Sequence, residues 1–222
     1  MVTSYTLSFG GELQCGQTLT QNNTTYTLSS HLDCEEGIFI KGKNITVDCQ
    51  GHGLFSSSSS LGQGAGMEFS IVTSNCQKEG WKILCYDSSF LREEEINSGQ
   101  GIGIEINKSS FVTIENCWVE GWEEGIVVEN SKNTTLLGDV IVYNEGDGIN
   151  FSKSKNTTIQ DTVSEGNGIS GFVEYKGSNT TIEDSYMIDN GDVDILLIAP
   201  KTLQFSLTNT EGNFSLTKEG GN

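Results

Sequence analysis

The stretch from Gly125 to Glu183, GIVVENSKNTTLLGDVIVYNEGDGINFSKSKNTTIQDTVSEGNGISGFVEYKGSNTTIE, decides the fold. One phrase runs through it three times. Gly125-Ile126, Gly148-Ile149 and Gly171-Phe172 start the copies, and Asn133, Asn156 and Asn179 each open an Asn-Thr-Thr-aliphatic segment. Outward from there, Gly103-Ile104 precedes the series and Asp194-Ile195 follows it, in steps of 22, 23, 23 and 23 residues. Ile114 joins the column of Leu136, Ile159 and Ile182, and a polar column holds Asn144, Asn167 and Asn190. Self-similarity at a fixed period marks a repeat architecture.

The unit is too short for a helix pair, which needs ~33 residues or more, and the leucine-rich pattern is missing. Apolar residues alternate in Ile104-x-Ile106, Ile126-x-Val128, Ile149-x-Phe151 and Ile195-x-Leu197, the period-2 pattern of half-buried strands. Gly, Asn, Asp and Ser supply turns between them, and the single proline, Pro200, leaves the ladders their N–H donors. Identical turns of such strands stack with equivalent residues ~4.8 Å apart, so apolar columns become interior stacks and Asn columns become amide ladders. The expected fold is all-β, a parallel β-helix of 22 to 23 residues per turn with capped ends.

The N-terminal side adds a resemblance. Cys15-Gly-Gln-Thr-Leu, Tyr26-Thr-Leu, Leu32-Asp-Cys34, Gly37-Ile-Phe-Ile and Asn44-Ile-Thr-Val-Asp-Cys49-Gln-Gly-His52 resemble the opening of secreted right-handed parallel β-helix proteins. These form the carbohydrate-binding and sugar-hydrolase (NosD-like) repeat group, which Ile114-Glu-Asn-Cys117 and the later Gly-Ile units also resemble. The resemblance runs from about residue 13 to 198. The group holds lyases, hydrolases, epimerases, adhesins and proteins with no known activity, so the resemblance implies a fold, a single-stranded right-handed parallel β-helix, and not a reaction.

With 222 residues the chain fits one β-helix domain, residues 1–222. Residues 1–36 read as opening strand and N-terminal cap, 37–72 as first rungs, 73–98 as an irregular insertion, 99–198 as regular coil and 200–222 as C-terminal cap. Such caps limit end-to-end association, and self-association stays open. Net charge is −18, with 11 lysines and one arginine, Arg92. Nucleic acid, which needs a cationic footprint, is excluded as a partner. The mean field also disfavours anionic polymers, leaving neutral glycans, cations and cell-surface components. No segment is apolar enough to span a membrane, and no signal peptide is recognisable, so Met1 stands where a removed leader would end.

Six cysteines point to an oxidising, extracellular or cell-surface location. Cys15 pairs with Cys34 across the opening strand, and Cys76 pairs with Cys85 across a hairpin-like segment. Cys49 and Cys117 take interior slots two to three rungs apart, roughly 10 Å, too far for a bond, and read as buried free thiols.

Catalytic chemistry is sparse. Gly51-His52-Gly53 matches a tripeptide of polygalacturonases, but the companion acidic and Arg-Ile-Lys motifs are absent, so it reads as a structural turn. Asp161 and Asp184 stack ~5 Å apart, the lower carboxylate spacing for glycoside hydrolysis, although a solvated acid ladder has the same spacing. Glu174 falls in the inward column of Ile106, Val128, Phe151 and Leu197. A buried carboxylate there would be a general-acid candidate, and a one-residue bulge turning it to solvent is the preferred reading. Acidic turns at Glu123/Glu124, at Glu145 and Asp147, and at Asp189, Asp192 and Asp194 offer hard oxygens to Ca²⁺, the one cofactor considered. His31 and His52 lack metal-ligand spacing. Trp118, Trp122 and Tyr143 are the candidates for stacking sugars. The expectation is a non-catalytic secreted or cell-surface β-helix, structural or glycan-binding. The alternative is a polysaccharide lyase or glycoside hydrolase that uses acidic residues on one face.

Overall fold

The computed structural model describes residues 8–57, 77–79, 82–84, 101–198, 202–208 and 212–217. Among these there is no helix, and every strand outside one short hairpin pairs in parallel. The chain coils through three sheets in turn. In one rung Glu124–Glu129 lies in sheet 2, Lys132–Leu137 in sheet 1 and Val140–Val142 in sheet 3. Sheet 1 runs over eight strands from Ser8–Glu12 to Thr202–Thr208, and sheet 2 over eight from Thr18–Leu19 to Phe214–Thr217. Sheet 3 has six short strands, from Leu32–Cys34 to Tyr186–Ile188. The parallel ladders thus begin at Ser8, inside the segment read as a cap, and the C-terminal segment adds a strand each to sheets 1 and 2.

The register follows the repeat. Ile104, Ile126, Ile149, Phe172 and Ile195 pair rung to rung in sheet 2. Val47, Ile114, Leu136, Ile159 and Ile182 do so in sheet 1, and all five are fully buried. Each such side chain contributes roughly 1.5–3 kcal/mol by leaving water.

A tightly wound coil must also satisfy the backbone at its corners, and a polar ladder does this inside each one. At the corner from sheet 3 to sheet 2, the Asn167 Oδ1 accepts from the Asn144 backbone N–H and from its Nδ2, at 3.1 and 2.9 Å. Asn190 repeats this for Asn167 at 3.0 Å in both bonds. The amide takes the room that a side chain on the facing glycine would need: a Cβ on Gly148 would meet the Asn167 Nδ2 at 2.6 Å, and one on Gly171 the Asn190 Nδ2 at 2.6 Å. The Gly-Ile column and the Asn column are therefore one device. It ends where Asp194 replaces the glycine, because that carboxylate accepts from the Asn190 amide and from the Asn213 N–H.

Serines form the ladder from sheet 2 to sheet 1, with Ser131 Oγ accepting from the Ser109 N–H and Ser154 Oγ from the Ser131 N–H. Asp139 and Ser185 serve the third corner. Asp139 is wholly buried and accepts from the backbone N–H groups of Cys117 and Leu137. Burial holds its carboxyl well above the usual range.

Two expectations about the interior are overturned. Cys49 and Cys117 form a disulfide with a Cα–Cα distance of 4.7 Å, in place of free thiols. The strand Lys43–Asp48 pairs directly with Ser110–Glu115, and Gly53–Ser56 with Trp118–Glu120, so the two cysteines stand on adjoining rungs although 68 residues apart in sequence. Dividing that sequence separation by the repeat length gives two to three rungs, because it assumes that every residue between the cysteines is spent on regular turns. Cys15–Cys34 is bonded, with a Cα–Cα distance of 5.3 Å. Cys76 and Cys85 lie outside the described residues, next to the antiparallel strands Gln77–Glu79 and Lys82–Leu84.

The second correction is Glu174, which no bulge turns outward. It pairs in unbroken register with Phe151 and Leu197 and is only 2 % exposed. Its carboxylate accepts from Thr180 Oγ1 at 2.7 Å and lies where a Cβ on Gly177 would stand. Gly177 holds the place in its corner that serine fills at 109, 131 and 154, so the Glu174 carboxyl fills a gap in that ladder. Burial raises its pKa, and the Thr180 bond opposes the rise.

Candidate functional site

Strand periodicity turns alternate residues of sheet 3 outward. Trp118 and Glu120 project from one rung, Val140 from the next and Glu165 from the one after, with Tyr143 at the corner beyond Val142. The Trp118 indole Nε1 donates to the Glu120 carboxylate at 2.8 Å, which fixes both side chains at half-burial. Tyr143 is 46 % exposed and holds a left-handed backbone (φ 51°), and one edge of its ring lies against Gly166. Burial, then Glu165, Glu120 and Asp189, raise the phenol's pKa. The outer face of sheet 3 is thus an aromatic strip edged by carboxylates. The expected third member, Trp122, does not belong to it. Trp122 is fully buried at the head of the asparagine column, where its indole packs over Gly103 and its Nε1 donates to the Leu54 carbonyl at 3.0 Å. It substitutes for the amide that later rungs place there, and a sequence count of aromatics cannot separate those two roles.

A second acidic feature lies at the corner leading into sheet 2. Glu124 and Asp147 occupy equivalent positions on adjoining rungs, roughly 4.8 Å apart along the axis. Both are half-buried, and one oxygen of each, Glu124 Oε2 and Asp147 Oδ1, is shielded from solvent without a protein hydrogen-bond partner. Burial and then the Asp147 charge push Glu124 up to about 7. Burial also raises Asp147, opposed by its bonds to Ser170. One carboxyl protonated near neutrality beside one ionised carboxylate is the arrangement acid–base chemistry uses. The signal was present in the repeat, since Glu124 and Asp147 each precede a Gly-Ile pair.

The other candidates are dispersed. Asp161 and Asp184 sit at left-handed corner positions between sheets 1 and 3 (φ 52° and 48°), and Asp161 is exposed and bonded to Gln160. Asp194 is buried as the ladder cap, Asp189 lies beside Tyr143, and Asp192 is exposed near Asp147. Glu145 sits on its corner through backbone bonding to Trp122. Among the described residues no three acidic, His or Cys side chains converge as a metal-binding group. His31 and His52 meet edge to face, and His31 Nδ1 accepts from the Gly53 N–H at 2.8 Å, a turn-stabilising role.

A chain that coils through three parallel sheets with these corner ladders belongs to the family described as the right handed beta helix region, which matches residues 72–210. Among solved structures it is similar to the periplasmic alginate epimerase AlgG (12% identity, TM-score 0.49), with 95% of this chain covering 48% of that one. It is also similar to the catalytic domain of a GH87 α-1,3-glucanase (14% identity, TM-score 0.45), with 90% of this chain covering 34% of that one. A third is the A-module of the mannuronan C-5 epimerase AlgE4 of Azotobacter vinelandii (11% identity, TM-score 0.42), where 96% of this chain covers 48% of that one. The chain therefore spans about half the length of these epimerases or less. No curated protein matches its sequence.

Proposed function

We propose that the protein is a non-catalytic β-helix module of an oxidising, extracytoplasmic compartment, and that it binds glycan on the outer face of sheet 3. The observation that carries this reading is the strip of Trp118 and Tyr143 edged by Glu120 and Glu165. Flat rings meet the apolar faces of sugars, while fixed carboxylates accept from hydroxyls. The two disulfides support the compartment. Glu174 is sealed in the core, away from any polymeric substrate, while Asp161 and Asp184 hold left-handed corner positions on adjoining rungs, as a solvated acid ladder would.

A second reading rests on Glu124 and Asp147. A carboxyl with a pKa of about 7 one rung from a carboxylate suits a retaining glycoside hydrolase, whose pair stands ~5–5.5 Å apart. A glycan array with wild type, Trp118→Ala and Tyr143→Ala tests the binding reading, and loss of a bound glycan in both variants is expected. Reducing-sugar and unsaturated-product assays test the other. Turnover that disappears in Glu124→Gln would replace the first reading with the second.

A further inference from the structure

The coil has three sides, and its charges are sorted among them. Every lysine whose side chain the structure describes lies at the corner between sheets 2 and 1, the edge opposite sheet 3. The six strands of sheet 3 contain no lysine or arginine. Neither do the described corners beside them, which add Asp161 and Asp184 on one flank and Glu123, Glu145, Asp189 and Asp192 on the other. His31 and His52, at the first rungs, are the sole described groups there that take a positive charge. The net charge of −18 is an average, and it understates the negative field over sheet 3. Strands of six residues put roughly 20 Å between the lysines and that face, at ~3.3 Å per residue. Charges act within ~8–10 Å at ordinary ionic strength, so the lysines do not offset it.

Register sets out what this face presents. Trp118, Val140 and Val163 form one outward column, and Glu120, Val142 and Glu165 form the next. Glu120 and Glu165 therefore stand two rungs apart, roughly 10 Å. Tyr143 projects from the rung between them, in the corner column that Gly121 and Gly166 hold on the adjoining rungs. Asp189 takes that column one rung beyond Gly166. The like charges of Glu165, Glu120 and Asp189 add to burial in raising the Tyr143 phenol's pKa, and Asp189 adds to burial in raising Glu165. None of the three faces a described lysine or arginine. The fold does not call for the charge at Glu120, because its bond from the Trp118 indole needs only an acceptor, which a glutamine carbonyl also supplies.

We infer that the ligand of this face is a glycan with free amino groups, a hexosamine polymer lacking N-acetyl on some or all of its sugars; this rests on the sheet 3 reading above and narrows it. The sugar rings lie on Trp118, Tyr143 and the valines between them. Their ammonium groups, with three N–H donors each, bond Glu120, Glu165 and Asp189, and charge-assisted bonds of this kind are stronger than those from hydroxyls. The two aromatic faces attract the same cations. N-acetylation keeps the sugar ring and removes the charge, so it takes away this part of the recognition alone. A metal ion is a poorer occupant, since the carboxylates stand on different rungs and no three described ligands converge. A flexible basic peptide meets the carboxylates, but it loses more freedom than a stiff sugar chain on binding and leaves the flat apolar ground unused.

Calorimetry on protein made without N-glycans, with glucosamine oligomers and with the same oligomers N-acetylated, tests this. Wild type should bind the free amines about tenfold more tightly at low ionic strength, each exposed ion contact being individually weak, and added salt should shrink the preference. Glu120→Gln combined with Glu165→Gln, its fold checked by circular dichroism, should bind the two oligomers alike. Glu105→Gln combined with Glu129→Gln makes the same change of charge on the outer face of sheet 2 and should keep the preference. Equal wild-type affinity for the two oligomers overturns the inference, as does binding of neither. A preference that survives in the sheet 3 double variant, or that vanishes in the sheet 2 one, overturns it too, and so does oligolysine of equal charge binding as tightly. Each of these leaves the sheet 3 reading standing if Trp118→Ala still abolishes binding of another glycan on the array. An array empty for wild type removes that reading and this inference together.

Discussion

Asn167→Ala removes the middle of the buried amide ladder, and the structure gives the size of the effect. The side chain is 1 % exposed. It accepts from the Asn144 N–H and Nδ2 at 3.1 and 2.9 Å. It donates to Asn190 Oδ1 and Ser164 Oγ at 3.0 Å each, and to the Ile141 carbonyl at 3.3 Å. Alanine leaves the Asn144 backbone N–H and one of its amide hydrogens without those acceptors, and it leaves space over Gly148. Orphaned buried donors cost about 1–3 kcal/mol each, so a total loss of about 3 kcal/mol is expected. The assay is chemical denaturation followed by circular dichroism, comparing midpoints at unchanged slope. The control is Asn156→Gly in the exposed ladder, where Asn156 Nδ2 donates to Asn133 Oδ1 at 3.0 Å. Glycine there keeps the left-handed backbone (φ 54°), so the loss should stay below about 1 kcal/mol. A loss for Asn167→Ala no larger than that of the control would refute the idea that the interior ladder holds the corner.

Replacing Cys49 and Cys117 together by serine opens a loop of 68 residues and should cost about 4 kcal/mol on the chain-entropy account, and peptide mapping without reduction should recover the 49–117 pair. Glu124 is raised to about 7, so the folded state holds its proton more tightly than the unfolded state does. Its stabilising contribution is complete at acid pH and is lost as pH rises from the ordinary carboxylate range through about 7. Denaturation across that window should show falling stability, and Glu124→Gln should flatten the slope. An unchanged slope in that variant would assign it to another group. The sequons at Asn133, Asn156 and Asn179 stack one rung apart, with Asn156 and Asn179 each donating to the preceding amide. Glycopeptide mapping after expression in a glycosylating secretory host should find this column sparsely occupied compared with Asn22 or Asn23, Asn107 and Asn213. Full occupancy at all three would contradict the stacking.

Period alone determined the coil of this protein. Residues 22 or 23 apart must stack if each turn is alike, so the Gly-Ile, aliphatic and asparagine columns were legible before any coordinate. Lys132 and Lys155, and Lys153 and Lys176, are likewise 23 residues apart and stack at the corner between sheets 2 and 1. Three things needed the tertiary structure. The Cys49–Cys117 bond depends on Ser110–Glu115 pairing directly with Lys43–Asp48, and the sequence between those strands keeps no period from which that pairing could be counted. Glu174 stays inward because Gly177 leaves room for its carboxylate and Thr180 donates to it, contacts that lie across a corner and not along the strand. Trp122 is core and Tyr143 surface because they hold neighbouring slots of the repeat, Trp122 aligned with Asn144 and Tyr143 with Gly121. That the interior slot takes a whole indole, packed over Gly103 and donating to the Leu54 carbonyl, is seen only in the packing.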